Sequence, residues 1–359
     1  MRESFVCRAG DGCAWKVLAL ALIAGLAAGG CGSNKGPTEP GAGPSPGLSA
    51  PTGVSISNVS VKDRTATFTW NAVPGATGYV LEIGRTSNGT EFAVTTIEGG
   101  PTTHVATDLP VGISFARVRA KTASATSAPA PELRFVVPDI RDIIEALFFE
   151  TGPNRYTDLN GNSGVGGSLW LAWAPGSNIR TRVAGLSEQE AEHVERSLQQ
   201  IEEATNGLVR GGIVERLVEP FAPNSLLVSG ELRVVVHSDM QTYCGNATVA
   251  GCASWSLGLQ RYVISSAVRA KPAQPADLFM HELGHSVLGL GHIQLGPWRT
   301  LSETSWPGLP RPTMFPTASG GPAVLTPTEM AAIKMVYAAG LRAGATRPDF
   351  YAAGLINNP

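Results

Sequence analysis

His281-Glu282-Leu283-Gly284-His285 places two imidazoles four residues apart, with a carboxylate beside the first, inside an apolar stretch. On a helix, positions i and i+4 share a face, so both rings can ligate one divalent cation, and Zn2+ suits this H-E-x-x-H spacing. Glu282 points to the same cleft and is the candidate general base. Zinc brings the pKa of a water molecule toward about 7, so the glutamate can take its proton and return it to a leaving amine. The chemistry expected is hydrolysis of a peptide bond. Two unrelated surface histidines would be the bland reading, but a chain with only 6 histidines in 359 residues seldom produces this spacing by chance.

The motif needs a helix, and Pro275 marks its start. Upstream, Ile179 to Val183 alternates as a strand. Ser187-Glu188-Gln189-Glu190 opens a helix with a serine N-cap and a glutamate at the capping-box position, running to about Thr205 before Gly207 stops it. Ile213 to Val218, Leu232 to His237, Ala253 to Leu257 and Arg261 to Ala267 read as further strands, giving the order β-α-β-β-β-β-α. Thr326 with Glu329 forms a second capping box, with Pro327 at the first helical position. His193, among glutamates, and His237, at a strand end, read as structural residues, as do Trp170 and Trp173. Asp158-Leu159-Asn160-Gly161-Asn162 has the outline of a calcium loop, yet Ser163 replaces its glycine and Leu169 its closing glutamate. A polar turn is expected there, and structural Ca2+ is unsupported.

The stretch from His281 to His292 resembles the metzincin zinc signature, in which a glycine ends the helix and a third histidine follows; Gly289 and His292 would fill those places. Pro312-Thr313-Met314-Phe315-Pro316 resembles the Met-turn beneath the metal, and Leu325 to Ile333 with Tyr337 resembles the last helix of matrixin-like members. The resemblance spans roughly Ile179 to Leu341. It implies an α/β zincin-type metallopeptidase domain with a mostly parallel five-stranded sheet, occupying 138–359. It further implies one catalytic Zn2+ on His281, His285 and His292, Met314 as a structural residue under the zinc, Glu282 as catalytic base, and protein or peptide substrates. The strand from Ala253 would form the sheet edge along the cleft. No cysteine-switch propeptide is visible.

This chain departs from the family pattern by one additional residue before Gly289. A continuing helix would turn its exit by about 100° and advance it by about 1.5 Å, carrying a rigidly attached third ligand away. A π-bulge around Val287-Leu288 could absorb the residue, as could positive φ at Gly289 and Gly291; the glycine route is the one expected. Two alternatives stand beside the metzincin reading. One is a gluzincin, with Glu303 or Glu329 as third ligand. The other is a catalytically inactive, lipid-anchored adhesin or binding protein, against which the intact Glu282 argues.

The first thirty residues carry Lys16 before an apolar run from Val17 to Ala28, then Gly29-Gly30-Cys31. This reads as a signal peptide and resembles a bacterial lipoprotein signal, which implies lipidation at Cys31. The chain is thus expected to be exported and held at the bacterial cell envelope, at the outer membrane or cell surface, with the lipid anchor its only membrane contact. Residues 31–50 are a Gly/Pro/Ser-rich tether. Cys7 and Cys13 fall in the signal segment, which leaves Cys244 and Cys252 as an expected disulfide in an exported protein. Between 51 and 137, short alternating strands indicate a β-sandwich. The stretch resembles a fibronectin type III domain, with Trp70 in the second strand, Tyr79 in the third and Leu109-Pro110 before a strand ending Arg117-Val118-Arg119-Ala120. The tyrosine usual after Leu-Pro is absent, with Ser114-Phe115 in its place. Such a domain serves as a spacer or adhesive module for a cell-surface or extracellular partner; His104 is assigned no chemistry. The chain is 16% charged with a formal net charge of -2, so nucleic acid is excluded as a partner.

Overall fold

The computed structural model describes residues 47–149, 155–157, 163–165, 170, 172–222, 225, 227–258, 262–293, 307–314 and 320–357. The signal segment, Cys31, most of the tether, the Asp158–Asn162 turn with Leu169, Glu303, and Phe315-Pro316 lie outside the described residues.

Between Pro51 and Val137 the alternation folds into two antiparallel sheets. One has the order β1 (Ser55–Ser60), β2 (Thr65–Thr69), β5 (Thr103–Ala106); the other runs β4 (Ala93–Glu98), β3 (Gly78–Gly84), β6 (Gly112–Lys121), β7 (Leu133–Val137). Period-two geometry sends Tyr79, Leu81 and Ile83 to one face, where they are buried with Phe68, Leu109 and Phe135. Trp70 falls one residue beyond β2 and packs on Tyr79 with ring centroids 5.3 Å apart. A tyrosine does tie the backbone here, at another position than the missing one: Tyr79 Oη accepts from Val73 N at 2.9 Å.

Two residues after β7 the chain enters α1 (Ile140–Phe149), and the second unit follows. A hairpin, β8 (Arg155–Thr157) and β9 (Ser163–Val165), precedes β10 (Ser177–Ala184), α2 (Glu188–Ala204), β11 (Val209–Leu217), β12 (Glu231–Val236), α3 (Met240–Cys244), β13 (Gly251–Leu257), β14 (Val263–Ala270) and α4 (Ala276–Leu288). Helices α5 (Pro327–Ala338) and α6 (Arg347–Ala352) close it. The five-stranded sheet has the order β11-β10-β12-β14-β13; its pairs are parallel except β13, which runs antiparallel to β14 at the edge.

Both capping boxes form as the sequence predicts, with Ser187 Oγ and Thr326 Oγ1 accepting from the N3 amides of Glu190 and Glu329. Pro275 stands one position earlier than expected, at the N-cap of α4. Helices α2 and α4 cover one sheet face, burying Leu232, Val234 and Val236 of β12 with Val194, Leu198, Phe279 and Leu283. On the other face a satellite cluster gathers Val235, Met240, Tyr243, Cys244, Val249 and Cys252 around Phe221. The two units share one contiguous apolar core. Gly308 lies so close to β1 that a Cβ there would come within 2.6 Å of Val59 Cγ2.

The expected disulfide Cys244–Cys252 is present, with Cα atoms 6.1 Å apart, and it pins α3 to the start of edge strand β13. A cross-link closing so short a loop contributes about 2–3 kcal/mol. A Cys244→Ser, Cys252→Ser variant should therefore remain folded, with faster amide hydrogen exchange in β13 and unchanged protection in α2 and α4. Equal deprotection of all three elements would show the cystine to be a global staple instead.

Candidate metal centre

Every residue of α4 from Asp277 to Leu288 is buried. Its i and i+4 histidines share a face, as the motif predicts, and the turn after the helix brings in His292. The Nε2 atoms of His281 and His285 are 3.1 Å apart, those of His285 and His292 3.1 Å, and those of His292 and His281 3.2 Å. Among the described residues these three form the one group of metal-ligating side chains close enough to share an ion.

Hydrogen bonds at the far side of the rings fix what those Nε2 atoms are. His281 Nδ1 lies 2.9 Å from Thr313 O and His285 Nδ1 2.5 Å from Leu290 O. A carbonyl only accepts, so both Nδ1 atoms carry protons and, in a neutral ring, both Nε2 atoms present lone pairs. Burial holds all three rings neutral. It lowers His281 below the usual imidazole range, lowers His285 well below it with help from its two neighbours, and takes His292 to about 3, with His281 adding to the effect. The lone pairs of His281 and His285 thus converge with His292 Nε2, a crowding that a cation among them would relieve. Zinc bonds of about 2.0–2.1 Å in tetrahedral geometry set ligand atoms about 3.3–3.4 Å apart, close to the separations seen. Three imidazoles are a donor set that fits zinc.

The longer exit from α4 is accommodated by a widened last turn. Gly284 O accepts from Gly289 N, five residues on, and from Leu290 N, six residues on, at 3.1 Å. Gly289 takes the left-handed conformation, φ 63°, as expected, whereas Gly291 stays outside it. Gly291 N instead donates to Leu147 O of α1 at 2.6 Å, and Ile293 N to Met314 O at 2.9 Å, so both neighbours of His292 are held by backbone bonds.

Met314 is fully buried beneath α4, and a Cβ on Gly284 would come within 2.6 Å of its Sδ. Glu329, the one described candidate for a carboxylate third ligand, does not join the histidine group. Its oxygens accept from Thr313 N (3.1 Å), Met314 N (2.7 Å), Thr326 N (2.8 Å) and Thr326 Oγ1 (2.7 Å). Sequence reasoning read the capping box but not the reach to Thr313, whose carbonyl orients His281. Glu282 packs against β13, where a Cβ on Gly251 would meet its Oε1 at 2.9 Å. Its Oε2 is buried without a hydrogen-bond partner, and burial pushes the carboxyl up to about 8. A cation held by the flanking histidines would act in the opposite direction. His193 is half-buried against Phe279, 6.2 Å between centroids, and His237 Nδ1 accepts from Asp239 N at 3.0 Å; neither joins the site.

No family model matches the sequence, and no curated protein matches it. Solved structures do match about a quarter of it. A chicken CNTN1 structure of domains FN1 to FN3 is 15% identical, covering 26% of this chain and 31% of that one, with a TM-score of 0.23. An Fn3-like protein from Clostridium thermocellum is 29% identical over 24% of this chain and 90% of its own, TM-score 0.20. A computationally redesigned β-sandwich protein is 23% identical over 26% and 97%, TM-score 0.22. At such scores the sandwich stands on this chain's own strand pairing, and the histidine cluster on its own geometry.

Gly284→Ala should strain the contact with Met314 by about 1–3 kcal/mol, more than the gain of up to about 1 kcal/mol from replacing a helical glycine. The double variant Gly284→Ala, Met314→Ala should lose less than the sum of the two single losses in urea unfolding. Strict additivity would mean that the two residues do not press on each other.

Proposed function

We propose that this chain is a zinc-dependent endopeptidase of the metzincin type, exported and tethered by a lipid on Cys31. The observation that carries the reading is the convergence at 3.1–3.2 Å of three neutral imidazole Nε2 atoms, two on buried rings and one on a partly buried ring, next to a buried carboxylate with one oxygen unpartnered.

His281, His285 and His292 would hold the ion. Bound zinc supplies Lewis-acid polarisation and a nucleophile at neutral pH. Glu282 Oε2, buried and unpartnered, takes the proton of the attacking water and delivers it to the departing amine. The reacting peptide is oriented by β13, which lies at the edge of the sheet and begins at Gly251 against Glu282. An extended substrate adds to such an edge as a further strand, its backbone supplying the hydrogen bonds. A cystine at Cys244–Cys252 is in keeping with an oxidising compartment. No helix among the described residues is long and apolar enough to cross a membrane.

Purified protein should bind one Zn2+ and cleave unfolded protein substrates. Glu282→Gln should keep the metal and lose activity by at least about 100-fold, within the range of a lost general base. His292→Ala should lose zinc on dialysis against a mild chelator, whereas Glu329→Ala should retain it. Near-full turnover in Glu282→Gln would overturn the mechanism, and zinc retention in His292→Ala would remove the third ligand.

A further inference from the structure

The last turn of a helix leaves carbonyls that no helical N–H reaches. In α4 the widened exit uses Gly284 O twice, and the carbonyls of Val287 and Leu288 are met from elsewhere. Trp173 N donates to Val287 O at 3.1 Å, and the Trp170 indole Nε1–H donates to Leu288 O at 2.8 Å, across 118 residues of chain. Trp170 is itself fixed. It is 1% exposed, its N donates to Ala345 O at 3.0 Å, and its O accepts from Gly344 N at 2.6 Å. Phe148 and Tyr337 pack edge-on against its ring at 5.1 and 5.3 Å. Leu147, the neighbour of Phe148 in α1, receives the Gly291 N–H.

We infer that Trp170 is a positioning residue for the third metal ligand, its indole N–H clamping Leu288 and so setting where the Gly289–His292 turn leaves α4. The inference rests on the zinc reading of the histidine cluster. A phenyl ring at position 170 would keep an aromatic ring in the cage but leave Leu288 O buried without its donor. The last turn would then shift toward any geometry that satisfies it. Because each helical residue rotates the exit by about 100°, a small change there displaces His292. His281 and His285 sit within the body of α4 and would stay in place.

Trp170→Phe in the full chain tests this, with the Zn2+ dissociation constant read by chelator competition, the visible spectrum of the Co2+ form, and the melting temperature of metal-free protein. The expected result is a dissociation constant 10–100-fold higher, the range for lost outer-shell partners, and an altered Co2+ spectrum with the metal-free melting temperature little changed. Phe148→Leu, in the same cage but without the hydrogen bond, should lower the melting temperature and keep the parent's zinc affinity. Unaltered zinc binding in Trp170→Phe, with the parent binding one Zn2+, overturns the inference and leaves the zinc reading standing. Loss of affinity in both variants in proportion to lost melting temperature also overturns it. A parent that binds no stoichiometric zinc removes both. Should Trp170→Phe fail to fold, hydrogen exchange on the unaltered metal-free chain decides. Core-like protection of the Trp170 indole N–H supports the clamp, and exchange at the rate of an exposed indole refutes it.

Discussion

Three imidazole Nε2 atoms held 3.1–3.2 Å apart place two requirements on the structure: the rings must be neutral, and each must be held from behind. The first requirement explains why burial and neutrality go together in this cluster, since a protonated ring would both repel its neighbours and lose solvation. The second reaches further into the fold. The carbonyls that fix His281 and His285 belong to Thr313 and Leu290, so the site is only as well placed as two loop segments. Glu329 answers for the first, its capping-box carboxylate also accepting the amides of Thr313 and Met314. Gly284 answers for the second, since its carbonyl accepts from Leu290 N and its missing side chain leaves room for Met314.

The opposite face of the sheet is organised by charge. Arg182 and Arg233 flank Phe221 with guanidinium carbons 5.2 and 4.7 Å from its ring centroid, and both pair with Glu231. Tyr243 Oη donates to Phe221 O at 2.8 Å, linking this arrangement to α3 and through the cystine to β13. A buried ion pair is a weak source of net stability but tolerates little rearrangement, because either partner alone would be stranded. The edge strand beside Glu282 is therefore braced from behind by groups that have no contact with the histidines.

Much of this was legible in the sequence where the signal is local. The H-E-x-x-H spacing, the capping boxes at Ser187 and Thr326, and the alternating strands depend on neighbours within a few residues, and the structure places them within one to four residues of expectation. The four-residue error is at β11, which starts at Val209 because Thr205 Oγ1 accepts from Val209 N and draws the chain into the strand early. Helix α1 was missed although Ile143, Ile144, Leu147 and Phe148 follow the helical period; its buried side is wide enough to blur the pattern. The dual role of Glu329, the contact of Gly251 with Glu282 and the indole bond of Trp170 are long-range, and no spacing rule announces them.

The added residue before Gly289 is where local and long-range logic meet. Within the helix it widens the last turn, which closes by bonds five and six residues long onto Gly284 O, and Val287 O and Leu288 O, like the last carbonyls of any helix, need donors from elsewhere. Glycine freedom absorbs only the change of direction, and only at Gly289. Donors for these carbonyls come from outside the helix, from Trp170 Nε1 and Trp173 N, while α1 offers the acceptor Leu147 O to Gly291 N. α1 follows β7 of the sandwich after two residues, so an element that begins where the sandwich ends reaches the turn bearing His292. The position of His292 thus depends on α1, which holds Gly291, and on Trp170 and Trp173, which hold the end of α4, none of them within the histidine motif itself.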